Sequence, residues 1–198
     1  MFKSFALIAA LTFSAGAMAQ GLQLGYPSTG GNGCPQGTVS ATLSPDNTQL
    51  SILFDQFLAE AGPGVGKTID RKSCNIAIPV TVPNGYAVSI VAVDYRGFVG
   101  LPSRSATARF SAEYFFANQR GPVTQRTFVG AQNTDYLVEN DLVLSSLVWS
   151  ACGAQTNLRI NASMMLSNSD RRSDAIATVD SADISSGIIY QLQFRRCR

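Results

Sequence analysis

From Ile76 to Ala92, apolar side chains fall on every second position: Ile76, Ile78, Val80 and Val82 lead into Pro83-Asn84-Gly85, and Tyr86, Val88, Ile90 and Ala92 follow. A period of two belongs to a strand with one buried face, and Asn-Gly between two such runs is a strong hairpin signal. Pro79 lacks an N–H for a ladder, so its strand is expected at a sheet edge or bulged there. The same period recurs in Val39, Ala41 and Leu43, in Leu50, Ile52 and Phe54, in the even positions from Leu158 to Leu166, and in Ile188, Tyr190, Leu192 and Phe194. A weaker strand is expected over 176–183. One stretch competes: Phe54, Phe57, Leu58 and Ala61 have helical spacing, but Gly62-Pro63 ends it, which predicts a strand giving way to at most one helical turn. Many short strands with Gly, Pro and Asn turns predict an all-β fold, a single-domain antiparallel β-sandwich.

The first 19 residues carry one cation, Lys3, then an apolar run and the triplet Ala17-Met18-Ala19. This is the pattern of a secretory signal peptide. The apolar run from Phe5 to Phe13 is short of the ~20 residues a membrane-spanning helix needs, so membrane insertion is not expected. Neither Gln20 nor Gly21 is a lipidated cysteine, and the ending FRRCR does not suit the closing strand of an outer-membrane barrel. The expected location is secreted or periplasmic. Taking Lys3 from 15 basic side chains leaves 14 against 13 acidic, a net charge of +1. No strong partner of either sign and no nucleic-acid partner follow from that balance. The clusters Arg71-Lys72, Arg171-Arg172 and the basic tail are expected at solvated strand ends and loop tips. The expected organisation is a signal peptide over 1–19, a flexible Gly-rich lead-in over 20–33 and the sandwich over 34–198.

Four cysteines, Cys34, Cys74, Cys152 and Cys197, lie far apart in a chain bound for an oxidising compartment, which implies disulfides. Three connectivities exist. Cys34 with Cys74 and Cys152 with Cys197 is favoured, because each pair then brackets one half of the chain, and each bridge would stabilise by ~4 kcal/mol in the chain-entropy account. With no Cys-x-x-Cys spacing and no histidine, no metal site and no cofactor is expected.

Two glycine-rich stretches resemble phosphate loops only superficially. GGNGCPQG at 30–37 runs into the strand pattern TVSATLSP without the Lys and Ser/Thr that a Walker loop needs. GPGVGKT at 62–68 has Gly66-Lys67-Thr68 but Ala61 where the first glycine belongs. The first stretch reads instead as the lead-in to the Cys34 staple.

The blocks GNGCPQGT, SPDNTQLSILFDQF, RKSC, VPNGYAVSIVAVDYRG, AEYFF, VWSACG, LRINASMML, VDSADI and QLQFRRC together resemble a family of small secreted proteins of unknown function found in bacteria and filamentous fungi. The resemblance spans Gly31 to Cys197. It implies export, a β-rich domain and disulfides, with no activity to carry over.

Without histidine the usual general base is missing, and oxidised cysteines offer no nucleophile. Carboxylates remain: Asp46, Asp55, Asp94, Glu113, Asp135, Asp180 and Asp183, a pair of which could flank a glycosidic bond. Turn-forming or surface roles are the default for each. The segment VDYRGF at 93–98 holds the candidate binding residues Asp94, Tyr95 and Arg96. Arg96 is expected to pair with Asp94 and fix the strand end, with Tyr95 the outward-facing contact. Trp149 is expected to pack against the Cys152 bridge, and Asn161-Ala162-Ser163, which fits a glycosylation acceptor, is discounted because it lies in a strand pattern behind a leader of bacterial type. Two functions remain: a non-catalytic exported binding or surface-interaction module for a carbohydrate or envelope component, and a carboxylate-dependent glycan hydrolase. Two acids gathered in a concave groove would favour the second.

Overall fold

The computed structural model describes residues 21–116, 118–142, 147–179 and 188–197. The leader expected over 1–19, and Asp180 and Asp183, lie outside these residues. In chain order the strands are β1 (Gln23–Leu24), β2 (Ser28–Gly30), β3 (Val39–Leu43), β4 (Gln49–Phe54), β5 (Leu58–Ala61), β6 (Ile69–Thr81), β7 (Tyr86–Leu101), β8 (Ala106–Phe116), β9 (Gln119–Val129), β10 (Gln132–Asp141), β11 (Gln155–Asn168), β12 (Ala175–Thr178) and β13 (Ile188–Arg196). They form two antiparallel sheets. One runs β1-β6-β11-β8-β9 with β2 also on β6, and the other runs β3-β4-β13-β7-β12-β5 with β10 also on β7. The chain is thus an all-β, disulfide-stapled sandwich.

Alternation accounts for the core. Ile76, Ile78 and Val80 of β6, Leu158, Ile160, Met164 and Leu166 of β11, and Ile52, Ile90 and Ile188 of the facing sheet are all buried. Each such side chain contributes ~1.5–3 kcal/mol relative to exposure. Both expected bridges are present, with Cα atoms 5.2 Å apart for Cys34–Cys74 and 6.1 Å apart for Cys152–Cys197.

The hairpin expectation needs correcting. Pro83-Asn84-Gly85 does turn the chain, with Gly85 at φ 78° and the Tyr86 N–H donating to the Pro83 carbonyl at 3.1 Å. Yet β6 and β7 enter different sheets: β6 pairs with β11, and β7 with β13 and β10. The two apolar faces meet across the core instead of lying side by side. Flanking strands fill the hydrogen bonds a hairpin would have made, with Val82 N–H on the Ala154 carbonyl and Cys197 N–H on the Gly85 carbonyl, both at 2.9 Å.

The lead-in is not a free linker. β1 and β2 add to the outer edge of β6 (Leu24↔Val80, Thr29↔Ile76). Asn32 then continues as a strand would: its Nδ2 donates to the Arg71 carbonyl and its Oδ1 accepts from the Ser73 N–H, each at 2.8 Å. A side chain on Gly31, at φ 119°, would overlap the Ser73 carbonyl, which is why the backbone here is glycine. An exposed strand edge invites pairing with other chains, and this segment covers it. Pro79 sits on that side of β6. Its carbonyl accepts from the Gly25 N–H at 2.8 Å between β1 and β2, so its nitrogen faces that side too and the missing N–H takes no bond from the β6–β11 ladder.

No helical turn forms after Phe54 among the described residues. Asp55 to Phe57 bend, and β5 follows. Phe54 and Phe57 both turn into the core in an edge-to-face contact at 5.3 Å.

In β7 the alternation changes phase. Gln191 of β13 lies opposite Ala92 and Leu192 opposite Ile90, so Val91 is an extra residue in the ladder. Before this bulge Val88 and Ile90 are buried; after it Val93, Tyr95, Val99 and Leu101 are.

Candidate functional site

The phase change relocates the residues of VDYRGF. Tyr95 is 1% exposed and stacks on Phe110 with ring centres 5.0 Å apart, while Asp94 and Arg96 stand on the opposite, outer face of β7. The expected orientation is therefore reversed, because a one-residue bulge sends every later side chain to the other face. Asp94 and Arg96 make no ion pair with each other, and the Arg96 Nε is buried without a hydrogen-bond partner. Opposite Asp94 on β10 stands a second acid, Glu139, which is exposed.

The Tyr95 hydroxyl hydrogen-bonds Thr124 of the facing sheet, and burial pushes its pKa up to about 12. Asn140 of β10 donates to the same Thr124 hydroxyl at 2.7 Å, so this polar bridge joins the sheets. Tyr95 is thus an internal tie.

The other expected carboxylates do not converge. Asp46 closes the turn after β3, where bonds from the Ser44 and Thr48 hydroxyls hold its carboxyl below the usual range. Asp55 lies exposed in the bend before β5, and Asp135 is exposed on β10 opposite Phe98. Glu113 lies on the other sheet. Trp149 is half-buried with the Arg195 guanidinium 4.2 Å above its ring.

The structure's own candidate is the outer face of the six-stranded sheet. Register places its side chains in rows across β6, β11, β8 and β9: Arg71, Met165, Arg109 and Thr127; then Ser73, Ser163, Ser111 and Gln125; then Asn75, Asn161, Glu113 and Val123; then Ala77, Arg159, Phe115 and Arg120. Short side chains in the serine row leave a trough between taller neighbours. Three depressions of about 430, 310 and 260 Å³ lie end to end there. The first shares Asn75 and Asn161 with the second, and the second shares Arg71, Ser111 and Ser163 with the third, so they form one groove along β11. Over the six residue steps from Arg159 to Met165 it runs ~20 Å at strand rise.

Local features aim these groups. β9 carries a bulge where Gly121 and Pro122 oppose Tyr114, and the Tyr114 ring packs so closely on Gly121 that no Cβ would fit. The bulge brings Arg120 back onto the outer face. There its guanidinium lies 5.1 Å from the Phe115 ring and its Nε 3.6 Å from Glu113 Oε2. Asn161 donates to the other Glu113 oxygen at 3.0 Å, and Arg109 donates to Gln125 at 2.8 Å. Arg71 and Arg159 are exposed, with no carboxylate in ion-pair range among the described residues. Alternation also splits Arg71-Lys72: Arg71 faces the groove, and Lys72 turns to Asp70 at 3.8 Å.

None of the groove's arginines or asparagines was among the binding candidates from sequence. A signal existed in the polar complement of the β6 and β11 alternation, Arg71-Ser73-Asn75 and Arg159-Asn161-Ser163, but which polar faces adjoin depends on pairing. Chemically the groove offers amide, hydroxyl and guanidinium groups beside one aromatic ring. Its single carboxylate is already engaged on both oxygens.

Comparison with known proteins bears on the family alone. A solved structure of TmCBM61 in complex with beta-1,4-galactotriose is similar over 86% of this chain and 88% of that one, at 11% identity and a TM-score of 0.21. A likeness that loose brings no ligand across. An "Uncharacterized secreted protein" of Arthroderma benhamiae is 36% identical over 168 residues, 85% of this chain and 69% of the relative. The domain of unknown function DUF4360 matches residues 20–197, which include every strand, and the chain belongs to that family.

Proposed function

We propose that this protein is an exported, non-catalytic module that binds a carbohydrate of the envelope or its surroundings in the groove along β11. The observation that carries this reading is the groove itself: Asn75, Asn161, Ser73, Ser111 and Ser163 present donors and acceptors in one trough, with Phe115 as an apolar wall. Sugar hydroxyls need many modest hydrogen bonds and an apolar contact for the ring faces, and a concave surface with a few placed polar groups supplies both. The two disulfides suit an oxidising, extracellular setting.

The hydrolase alternative is weaker on the same geometry. Glycoside cleavage needs two carboxyls flanking the bond, ~5–9.5 Å apart. Glu113 is the single acid of the four rows, and it is bound by Arg120 and Asn161. Asp94 and Glu139 do face each other, but on the outer face of the other sheet, away from the groove.

The test is retention of the folded protein on immobilised polysaccharides, beside Asn161→Ala. Retention of the parent, an affinity loss of about tenfold in the variant and no release of reducing ends are expected; losing one hydrogen bond of ~1–1.5 kcal/mol gives that factor. Equal retention of parent and variant would place the ligand elsewhere, and release of reducing ends would restore the hydrolase.

A further inference from the structure

The groove's polar groups are not evenly mixed in charge. Arg71 and Arg109 stand in the row at one end, and Arg159 and Arg120 in the row at the other. Between them lie hydroxyls, amides and Glu113, whose charge Arg120 offsets at 3.6 Å. The uncommitted charge of this face is therefore positive and concentrated at its two ends. On the far side of the sandwich the outward positions of β7 and β10 carry Asp94, Asp135, Glu139 and Asp141 against Arg96. An anion approaching the molecule is drawn to one face and repelled by the other.

We infer that the ligand is an anionic polysaccharide, a sugar chain bearing carboxylate or sulfate groups, lying along β11 with its anions on the arginine rows and its neutral hydroxyls on the serine and asparagine rows. The inference rests on the binding-module reading and adds its substrate class. Guanidinium groups suit it because they present paired N–H donors in a plane that matches a carboxylate or sulfate edge. Arg71 and Arg159 are the positions to test, since both are exposed and neither is held in an ion pair among the described residues. A neutral polysaccharide would leave these arginines facing uncharged groups.

The experiment measures affinity of the folded protein for polygalacturonate, its fully methyl-esterified form, dextran sulfate, dextran and inorganic polyphosphate, at low and raised salt. The same series is run on Arg71→Gln/Arg159→Gln and, as a control on the opposite face, on Asp94→Asn/Glu139→Gln, with the thermal midpoint of each recorded. Expected are binding of polygalacturonate or dextran sulfate at least tenfold tighter than of the ester or dextran, and weakening with salt. The arginine pair should lower affinity about a hundredfold, as two charge-assisted contacts are lost, with no change in melting. Preference for polygalacturonate assigns the anion as carboxylate, and preference for dextran sulfate as sulfate. The control pair should bind as the parent does. Dextran held as tightly as polygalacturonate, or an arginine pair that binds like the parent, would overturn the anionic assignment while leaving the module reading standing. Polyphosphate bound as tightly as the sugars would overturn the sugar assignment. Failure of the parent to bind any polysaccharide would sink the module reading itself.

Discussion

The two outer faces are made by the same alternation from sheets of similar size, yet they differ in charge and in relief. One holds a ~20 Å groove with arginines at both ends. The other carries Asp94, Asp135, Glu139 and Asp141 on β7 and β10, and the groove does not reach it. Summed over the chain these charges almost cancel, which is why composition pointed to no charged partner. Packed sheets stand ~10 Å apart, with outward side chains further still, and charges beyond a Debye length of ~8–10 Å are largely screened from each other. A partner therefore meets one face at a time. The faces also differ in regularity: the β6–β11 ladder under the groove runs unbroken from Gln155↔Thr81 to Ser167↔Ile69, whereas β7 is bulged at Val91.

The strongest way to break the contrast is to insert one alanine after Asp94. With the Val91 bulge kept, Arg96 would be buried and Tyr95 and Val99 exposed, at a cost comparable to the ~5–15 kcal/mol stability of ordinary domains, whereas deleting Val91 itself would straighten the strand with Val93 and Tyr95 still inward. Circular dichroism should show no cooperative melting for the insertion, and a folded insertion variant would show that β7 takes up an extra residue without changing face.

Alkali attacks the layer that joins the faces. Tyr114 from the six-stranded sheet meets Tyr190 from the other at 5.9 Å, and burial raises the pKa of Tyr95 and Tyr114 to about 12 and that of Tyr190 well beyond its usual range. A raised folded-state pKa favours the protonated form. Its contribution is complete below pH ~10, the unfolded value, and is lost as pH climbs toward the folded one. Tyrosinate absorbance should therefore rise together with unfolding between pH ~10 and ~12, and titration of all tyrosines with the fold intact would contradict the burial.

Two glycines sharpen the comparison at smaller scale. Gly97, inward after the bulge, lies under the Tyr136 ring, whose hydroxyl donates to the Thr178 carbonyl at 2.8 Å, and a Cβ there would overlap both. Gly97→Ala should cost ~3 kcal/mol by urea unfolding, whereas Gly30→Ala on β2, with open space around it, should be within ~0.5 kcal/mol of the parent. Smallest of all is Asp94→Asn. Like charges directly opposite each other on neighbouring strands are unfavourable by a few tenths to ~1 kcal/mol, so the variant should be slightly more stable at low salt and equal to the parent at high salt. A loss of stability would mean that Asp94 has a structural partner.

Much of the architecture was legible because a strand's burial pattern is local. The runs at 39–43, 50–54, 76–82 and 158–166 all became strands with the expected face inward, and the two bridges formed as expected. The failures share a cause. Pro83-Asn84-Gly85 turns the chain as its chemistry requires, but a turn does not say whether its flanks pair or separate into two layers. The lead-in shows no apolar period, and its place on β6 comes from backbone bonds and the Cys34 bridge. Candidate residues suffered most, since VDYRGF was judged by extending the phase of Tyr86, Val88, Ile90 and Ala92 across a bulge.

By itself the sequence determined period-two segments, four cysteines far apart, no histidine and turn residues between strands. These are properties of residue types and near neighbours. Only the tertiary structure decided that Arg71, Arg109, Arg120 and Arg159, from four separate strands, share one face with Asn75 and Asn161, and that Asp94 and Arg96 stand on the other. Strand pairing is non-local: the same alternating pattern is satisfied by many partners and registers. Burying both apolar faces at once selects the partners, and a single extra residue, Val91, selects the side on which every later side chain of β7 emerges.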